Sequence, residues 1–113
     1  MADDTLVERV LRAVEQVPSG SVVSYGDLGG IVGIGPRHVG NVLARWGSGV
    51  PWWRVTNRDG ELPQPLLAQA VPHWETEGVT QRADGRGCRI AAHRADLAEL
   101  ASRWEQSVAA LPR

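Results

Sequence analysis

The chain has 113 residues, enough for one small domain with its own core but not for two. Apolar residues make up 42% and charged residues 22%, ordinary proportions for a globular protein, and no run of about 18 apolar residues exists to cross a membrane. The net charge of −1 argues against whole-surface attraction to nucleic acid, and a single cysteine, Cys88, with three scattered histidines excludes an internal disulfide and predicts no metal.

The start of the chain, Met1-Ala2-Asp3-Asp4, is acidic and lacks a basic-then-apolar signal pattern, so a cytoplasmic, nucleoid-associated location is expected. Thr5-Leu6-Val7-Glu8 reads as a capping box with Thr5 as N-cap. Leu6, Val7, Val10, Leu11, Val14 and Val17 follow at helical spacing until Pro18-Ser19-Gly20 ends the helix. Ser21-Val22-Val23 is a short extended link. Ser24, with Asp27 three residues on, starts a second helix from Tyr25 to Val32. Gly33-Ile34-Gly35 is a turn, and Pro36 suits the first position of a third helix. Val39, Val42, Leu43 and Trp46 form its buried stripe, while Arg37, Asn41 and Arg45 line the opposite face. Gly40 in mid-helix costs about 1 kcal/mol against alanine, which makes sense where another backbone approaches closely.

Val50 to Thr56 reads as an extended, partly buried segment, and Asn57-Arg58-Asp59-Gly60 as a turn. Leu66 to Glu77 predicts a fourth helix, with Pro72 as a point where it breaks. Gln81 to Gly87 is a loop. Leu97, Leu100, Ala101, Trp104, Val108 and Leu111 mark a C-terminal helix over about 94–110. Charge is unevenly spread. Residues 1–27 sum to −3 and residues 59–113 to −2, whereas residues 28–58 carry Arg37, Arg45, Arg54 and Arg58 and no acid. Phosphate contact needs this kind of local excess. Helix, glycine turn and helix, with an outer face free of acids, form a helix-turn-helix pattern.

Three segments together resemble the DNA-binding domain of the O6-alkylguanine-DNA alkyltransferases. Val17-Pro18-Ser19-Gly20-Ser21-Val22-Val23-Ser24-Tyr25-Gly26-Asp27-Leu28 is similar to that family's "IPxGxVxSYGxLA" stretch. Pro36-Arg37-His38-Val39-Gly40 is similar to its "xRxVG" recognition helix, and Pro51-Trp52-Trp53-Arg54-Val55 to its active-site "PCHRV". Glu77-Gly78-Val79 resembles an "EGV" near the third catalytic residue. The resemblance covers roughly residues 5 to 80 and implies a mainly α, winged helix-turn-helix-like single domain over 1–113, with the C-terminal helix beyond it.

The departure lies in the third motif. Trp52 stands where the family's alkyl-accepting cysteine belongs, and Trp53 where its histidine belongs. An indole supplies neither a thiolate nor a base, so alkyl transfer from this position is chemically excluded. Tryptophan at the cysteine position marks the alkyltransferase-like proteins, which usually keep the histidine. The resemblance therefore implies no enzyme and no cofactor, but a monomer that binds duplex DNA containing O6-alkylguanine, flips the base and flags it for nucleotide excision repair proteins.

The residues it implies for DNA contact are Tyr25, Arg37, Gly40, Asn41 and Arg45, with the third helix in the minor groove and Arg37 filling the space the base leaves. For the lesion pocket it implies Tyr25, Trp52, Trp53 and Arg54, with tolerance of many alkyl sizes. The residues themselves leave alternatives open. Neighbours on an extended segment face opposite ways, so one of Trp52 and Trp53 is expected in the core. Arg54 has a structural reading, tying the site loop to an acid. Trp74 and Trp104 read as core, and Cys88 as an incidental thiol. Two rival functions stand beside the first: a transcription regulator reading the major groove, and an alkyltransferase that uses Cys88.

Overall fold

The computed structural model describes residues 4–111; Met1 to Asp3 of the acidic start, with Pro112 and Arg113, lie outside them. Helix α1 spans Asp4–Glu15. It already includes Thr5, so Thr5 is not the N-cap that the capping-box reading expects; the acidic residue in the first turn is Asp4, placed where the helix dipole favours negative charge. The second capping box is as expected. Asp27 N–H donates to Ser24 Oγ at 3.0 Å, Ser24 N–H donates to the Asp27 carboxylate at 2.9 Å, and α2 runs Tyr25–Val32.

Gly33, at φ +96°, ends α2, and its N–H and that of Ile34 both reach back to the Gly29 carbonyl at 2.7 and 2.9 Å. The chain doubles back so tightly that a Cβ on Gly29 would sit 2.4 Å from the Ile34 carbonyl oxygen. Pro36 then opens α3, Pro36–Trp46. Val39 and Val42 are buried, but Trp46 is 38% exposed, against the expected stripe. It is the last residue of its helix, where the chain turns away through a 3₁₀ segment at Gly47–Gly49. The Arg45 guanidinium lies over it at 5.1 Å.

The stretch from Val50 to Thr56 is not uniformly extended. Trp52–Arg54 form a 3₁₀ turn, and only Val55–Thr56 is strand β2. It pairs in parallel with β1, Val23–Ser24, with Val23 opposite Val55 and Ser24 opposite Thr56. Helix α4, Leu66–Glu77, is continuous through Pro72, which sits on its exposed side while Leu67, Ala70 and Trp74 are buried. A short helix α5, Ile90–His93, was not apparent in the sequence. Arg94 and Ala95 are held extended against Val22 before Asp96 caps α6, Leu97–Val108, so the last helix starts later than its expected position near residue 94.

Two clusters form the interior, with the short strands between them. Val10, Val14, Leu28, Val39, Val55 and Leu100 belong to the first, built on α1, α2, α3 and α6. Val22, Leu67, Trp74, Val79, Cys88 and Ile90 belong to the second, under α4 and α5. Val22 and Val23 enter different clusters because successive strand residues point to opposite faces. The C-terminal helix completes the first: Leu100 is 1% exposed, and Trp104 Nε1 donates to the Arg9 carbonyl at 2.8 Å. No helix among the described residues is long and apolar enough to cross a membrane.

The turn geometry makes a paired prediction. Gly29→Ala forces a Cβ into the Ile34 carbonyl and should cost about 1–3 kcal/mol. Gly30→Ala meets nothing within 4 Å and should be neutral or stabilising by about 0.5–1 kcal/mol. Urea unfolding midpoints of the two variants check both, and equal effects would contradict the close approach.

Candidate nucleic-acid interface

Helix α3 presents its outer face to solvent because its other face is spent on Val39 and Val42. Arg37, Asn41 and Arg45, four residues apart, are all exposed. Neither Arg37, Arg45 nor Arg58 forms an ion pair among the described residues. The positive charge of residues 28–58 is thus available on the surface, with one exception, Arg54.

Beside this helix lies a cavity of about 220 Å³. That is below the ~300–1,000 Å³ of clefts that hold drug-sized ligands and suits a single heterocycle. Gly40, Leu43 and Ala44 of α3 with Gly47 and Ser48 just after it form one wall, Leu66 and Gln69 of α4 another, and Tyr25 and Trp52 complete it. Of the residues expected at a pocket, the structure brings Tyr25, Gly40 and Trp52 to the same cavity. Trp53 and Arg54 do not line it, and Arg37, Asn41 and Arg45 stand on the neighbouring exterior. A Cβ on Gly40 would meet nothing within 4 Å, so the protein's own packing does not require glycine there. Burial holds the Tyr25 hydroxyl above its ordinary pKa, so it remains a protonated donor at neutral pH.

Trp53 and Arg54 turn instead to Glu77 at the end of α4. Trp53 Nε1 donates to Glu77 Oε2 at 2.8 Å. Arg54 donates from Nε to Oε1 at 3.0 Å and from Nη2 to Oε2 at 2.8 Å, and its Nη1 reaches the Val17 carbonyl at 2.9 Å. Gly20 N–H adds a further bond to Oε1 at 3.0 Å. The structural reading of Arg54 is the one its contacts satisfy. Against the expectation that one indole lies in the core, neither is buried: both are half-buried and pack against the edge of the second cluster, because the 3₁₀ turn does not separate neighbours onto opposite faces. Their rings meet edge to face, with centroids 5.8 Å apart. His73 lies flat on Trp53, 3.6 Å between centroids and 7° between planes. Sequence reasoning missed His73, Leu66 and Gln69; the only available signal was their shared spacing on one face of α4.

Cys88 is buried, and burial pushes its thiol up to about 11, so it is a poor nucleophile at neutral pH. No cluster of three metal-ligating side chains occurs among the described residues.

Residues 5–79 match the family model for the DNA-binding domain of 6-O-methylguanine DNA methyltransferase. A DNA base-flipping protein of Escherichia coli (strain K12) is 41% identical over 90 residues, covering 74% of this chain and 70% of that protein. One of Vibrio parahaemolyticus is 33% identical over 63 residues, covering 52% of this chain and 63% of that one. Among solved structures, S. pombe Atl1 in complex with damaged DNA containing O6-carboxymethylguanine superposes with a TM-score of 0.71 at 26% identity, covering 85% of this chain and 99% of that one.

The Glu77 contacts predict an acid-sensitive fold. Burial raises the carboxyl's pKa, but the bonds from Arg54, Gly20 and Trp53 outweigh it and hold the group below its ordinary 4.5. Its contribution to stability is complete above the unfolded-state value and is lost as pH falls through the lower folded-state one. Arg54 and Glu77 side chains are only 17% and 8% exposed. Glu77→Gln, which leaves Arg54 buried without its counter-charge, should therefore cost about 3–5 kcal/mol at pH 7. It should also flatten the loss of stability on acidification. Denaturant titrations between pH 7 and pH 3 measure both effects.

Proposed function

The chain belongs to the family of the 6-O-methylguanine DNA methyltransferase DNA-binding domain, and from that premise we propose that it binds duplex DNA containing O6-alkylguanine, rotates the damaged base into the cavity beside α3, and leaves the alkyl group in place. The observation that carries this reading is the placement of Trp52. An indole lines the cavity at the position where the resemblance puts the alkyl-accepting sulfur. The base-flipping proteins similar to this chain and the damaged-DNA complex of Atl1 support the same reading.

A base inside a duplex is inspected only after extrusion, at a cost of a few kcal/mol. Arg37 enters the minor groove and fills the vacated space, its planar guanidinium stacking and donating to the orphaned partner base. Asn41, Arg45 and the backbone at Gly40 lie against the DNA strand. Tyr25 presses the phosphate or bonds the purine edge through its hydroxyl, and Trp52 supplies a broad apolar surface for the base and its alkyl group, worth about 1–3 kcal/mol. Trp53 and Arg54 act one layer back, holding the turn that carries Trp52. The protein acts as a monomer, and the extruded lesion marks the site for nucleotide excision repair proteins.

Titration of a random-sequence duplex with and without one O6-methylguanine tests this directly. Tighter binding to the modified duplex is expected. Equal binding to both, or preference for one undamaged sequence, would favour a transcription regulator instead. Arg37→Ala should weaken lesion binding by about tenfold or more and reduce its salt dependence. Gly40→Ala should stabilise the fold by about 0.5–1 kcal/mol yet weaken binding, because its helix gains a methyl on the face DNA approaches. Intact mass after incubation with methylated DNA should be unchanged; a gain of one methyl on Cys88 would overturn the non-transferring reading.

A further inference from the structure

We propose that Gln69 makes the cavity selective for O6 adducts whose far end can hydrogen-bond, such as carboxymethyl or hydroxyethyl groups, over purely hydrocarbon chains of the same length. This rests on the proposed lesion-binding function.

The argument starts from the direction of the adduct. With the base in the cavity and O6 turned to Trp52, a chain longer than methyl runs on into the wall that α4 provides. Two residues of α4 line that wall, Leu66 and Gln69. With His73 they stand at i, i+3 and i+7 on one helix face, and His73 lies 6.3 Å from the Trp52 ring. The opposite face of α4 is fixed: Leu67, Ala70 and Trp74 are buried, and Trp74 Nε1 donates to the Trp53 carbonyl at 2.8 Å. Gln69 is therefore carried on a rigid element tied to the turn that carries Trp52.

Its backbone N–H donates to the Pro65 carbonyl at 3.3 Å, but its side-chain amide has no protein partner among the described residues. The cavity around it is otherwise apolar apart from Tyr25 and Ser48, on its other walls. Gln69 is exposed at the cavity's rim, so a hydrocarbon chain ending against its amide displaces water there and offers no hydrogen bond in return. A carboxylate accepts from its NH₂ group, and a hydroxyl accepts from the NH₂ or donates to the carbonyl. The unpaired positive charge of Arg37 and Arg45 nearby further favours an anionic adduct.

The test uses duplexes bearing O6-methyl-, O6-propyl-, O6-carboxymethyl- and O6-(2-hydroxyethyl)guanine, with the full chain and its Gln69→Leu and Gln69→Glu variants. The wild-type protein should bind the carboxymethyl adduct more tightly than the propyl one. Gln69→Leu should reduce that ratio by about tenfold, the loss of one hydrogen bond to a charged group. Gln69→Glu should weaken carboxymethyl binding further by like-charge repulsion yet retain the hydroxyethyl adduct, whose hydroxyl can donate to the new carboxylate. Each adduct is read as a ratio to the methyl adduct on the same variant, so that any general change in DNA binding, such as the added charge of Gln69→Glu brings, cancels. If wild type prefers methylated to normal DNA but its adduct ratios do not move with residue 69, the role of Gln69 is wrong. If wild type shows no preference for methylated DNA, the lesion-binding function itself fails.

Discussion

Glu77, at the end of α4, accepts hydrogen bonds from two segments far from it in the chain: the turn after α1 through Gly20, and the 3₁₀ turn through Trp53 and Arg54. Arg54 extends the link to the Val17 carbonyl. The cavity exists only if α3 and α4 stand at a fixed separation with Trp52 between them, and no backbone ladder enforces this. The two strands are two residues each. A nearly buried carboxylate with both oxygens occupied does the positioning instead. Such a group costs desolvation, which several charge-assisted bonds offset only when they are all present. The arrangement is accordingly all-or-none, which suits a site that must hold its shape before a ligand arrives.

That constraint frees α3 from structural duty on its outer side. Two buried valines anchor α3, and the tight turn at Gly33 sets its angle to α2. Arg37, Asn41 and Arg45 are then left to solvent. A chain of net charge −1 can still present a positive surface, because the acids lie elsewhere and several are paired: Glu8 with Arg12, Asp27 with Arg94, Glu61 with Arg82. A local excess of this kind near a cavity is the arrangement that attracts an anionic polymer, while a net charge close to zero opposes indiscriminate adhesion.

The helix-turn-helix was legible because its signals are local: a capping serine, an αL glycine, a proline at the first helical position and a 3.6-residue stripe. What was not legible depended on distant partners. Trp46 continued the stripe in the sequence, but periodicity does not tell where the facing element ends. The segment around Trp52 read as extended from composition, whereas its Arg54 and Trp53 bonds to residue 77 wind it into a 3₁₀ turn. Helix α5 is four residues long, too short to leave a period. The resemblance located Trp52 and Tyr25 in the chain, but not the α4 wall opposite them. Leu66 and Gln69 carry no motif, and only the three-dimensional packing of α4 brings them to the cavity.

The replacement of a histidine position by Trp53 is understandable in the same terms. In the alkyltransferases that this motif resembles, an imidazole paired with a glutamate activates a thiolate, which requires a group that gains and loses protons. Here the indole N–H donates to Glu77 at 2.8 Å, so the pairing with the glutamate persists while the proton chemistry is gone. An indole does not titrate near neutral pH and has only a donor to offer, so the bond has one protonation state and one direction. Its larger face also gives His73 a surface to stack on at 3.6 Å, joining the turn to α4 by a second contact. A fixed donor with a broad ring suits the geometry better than a titrating one, and where the resemblance implies a catalytic pair, the contacts of Trp53 and Glu77 build part of the frame beside Trp52 in the cavity.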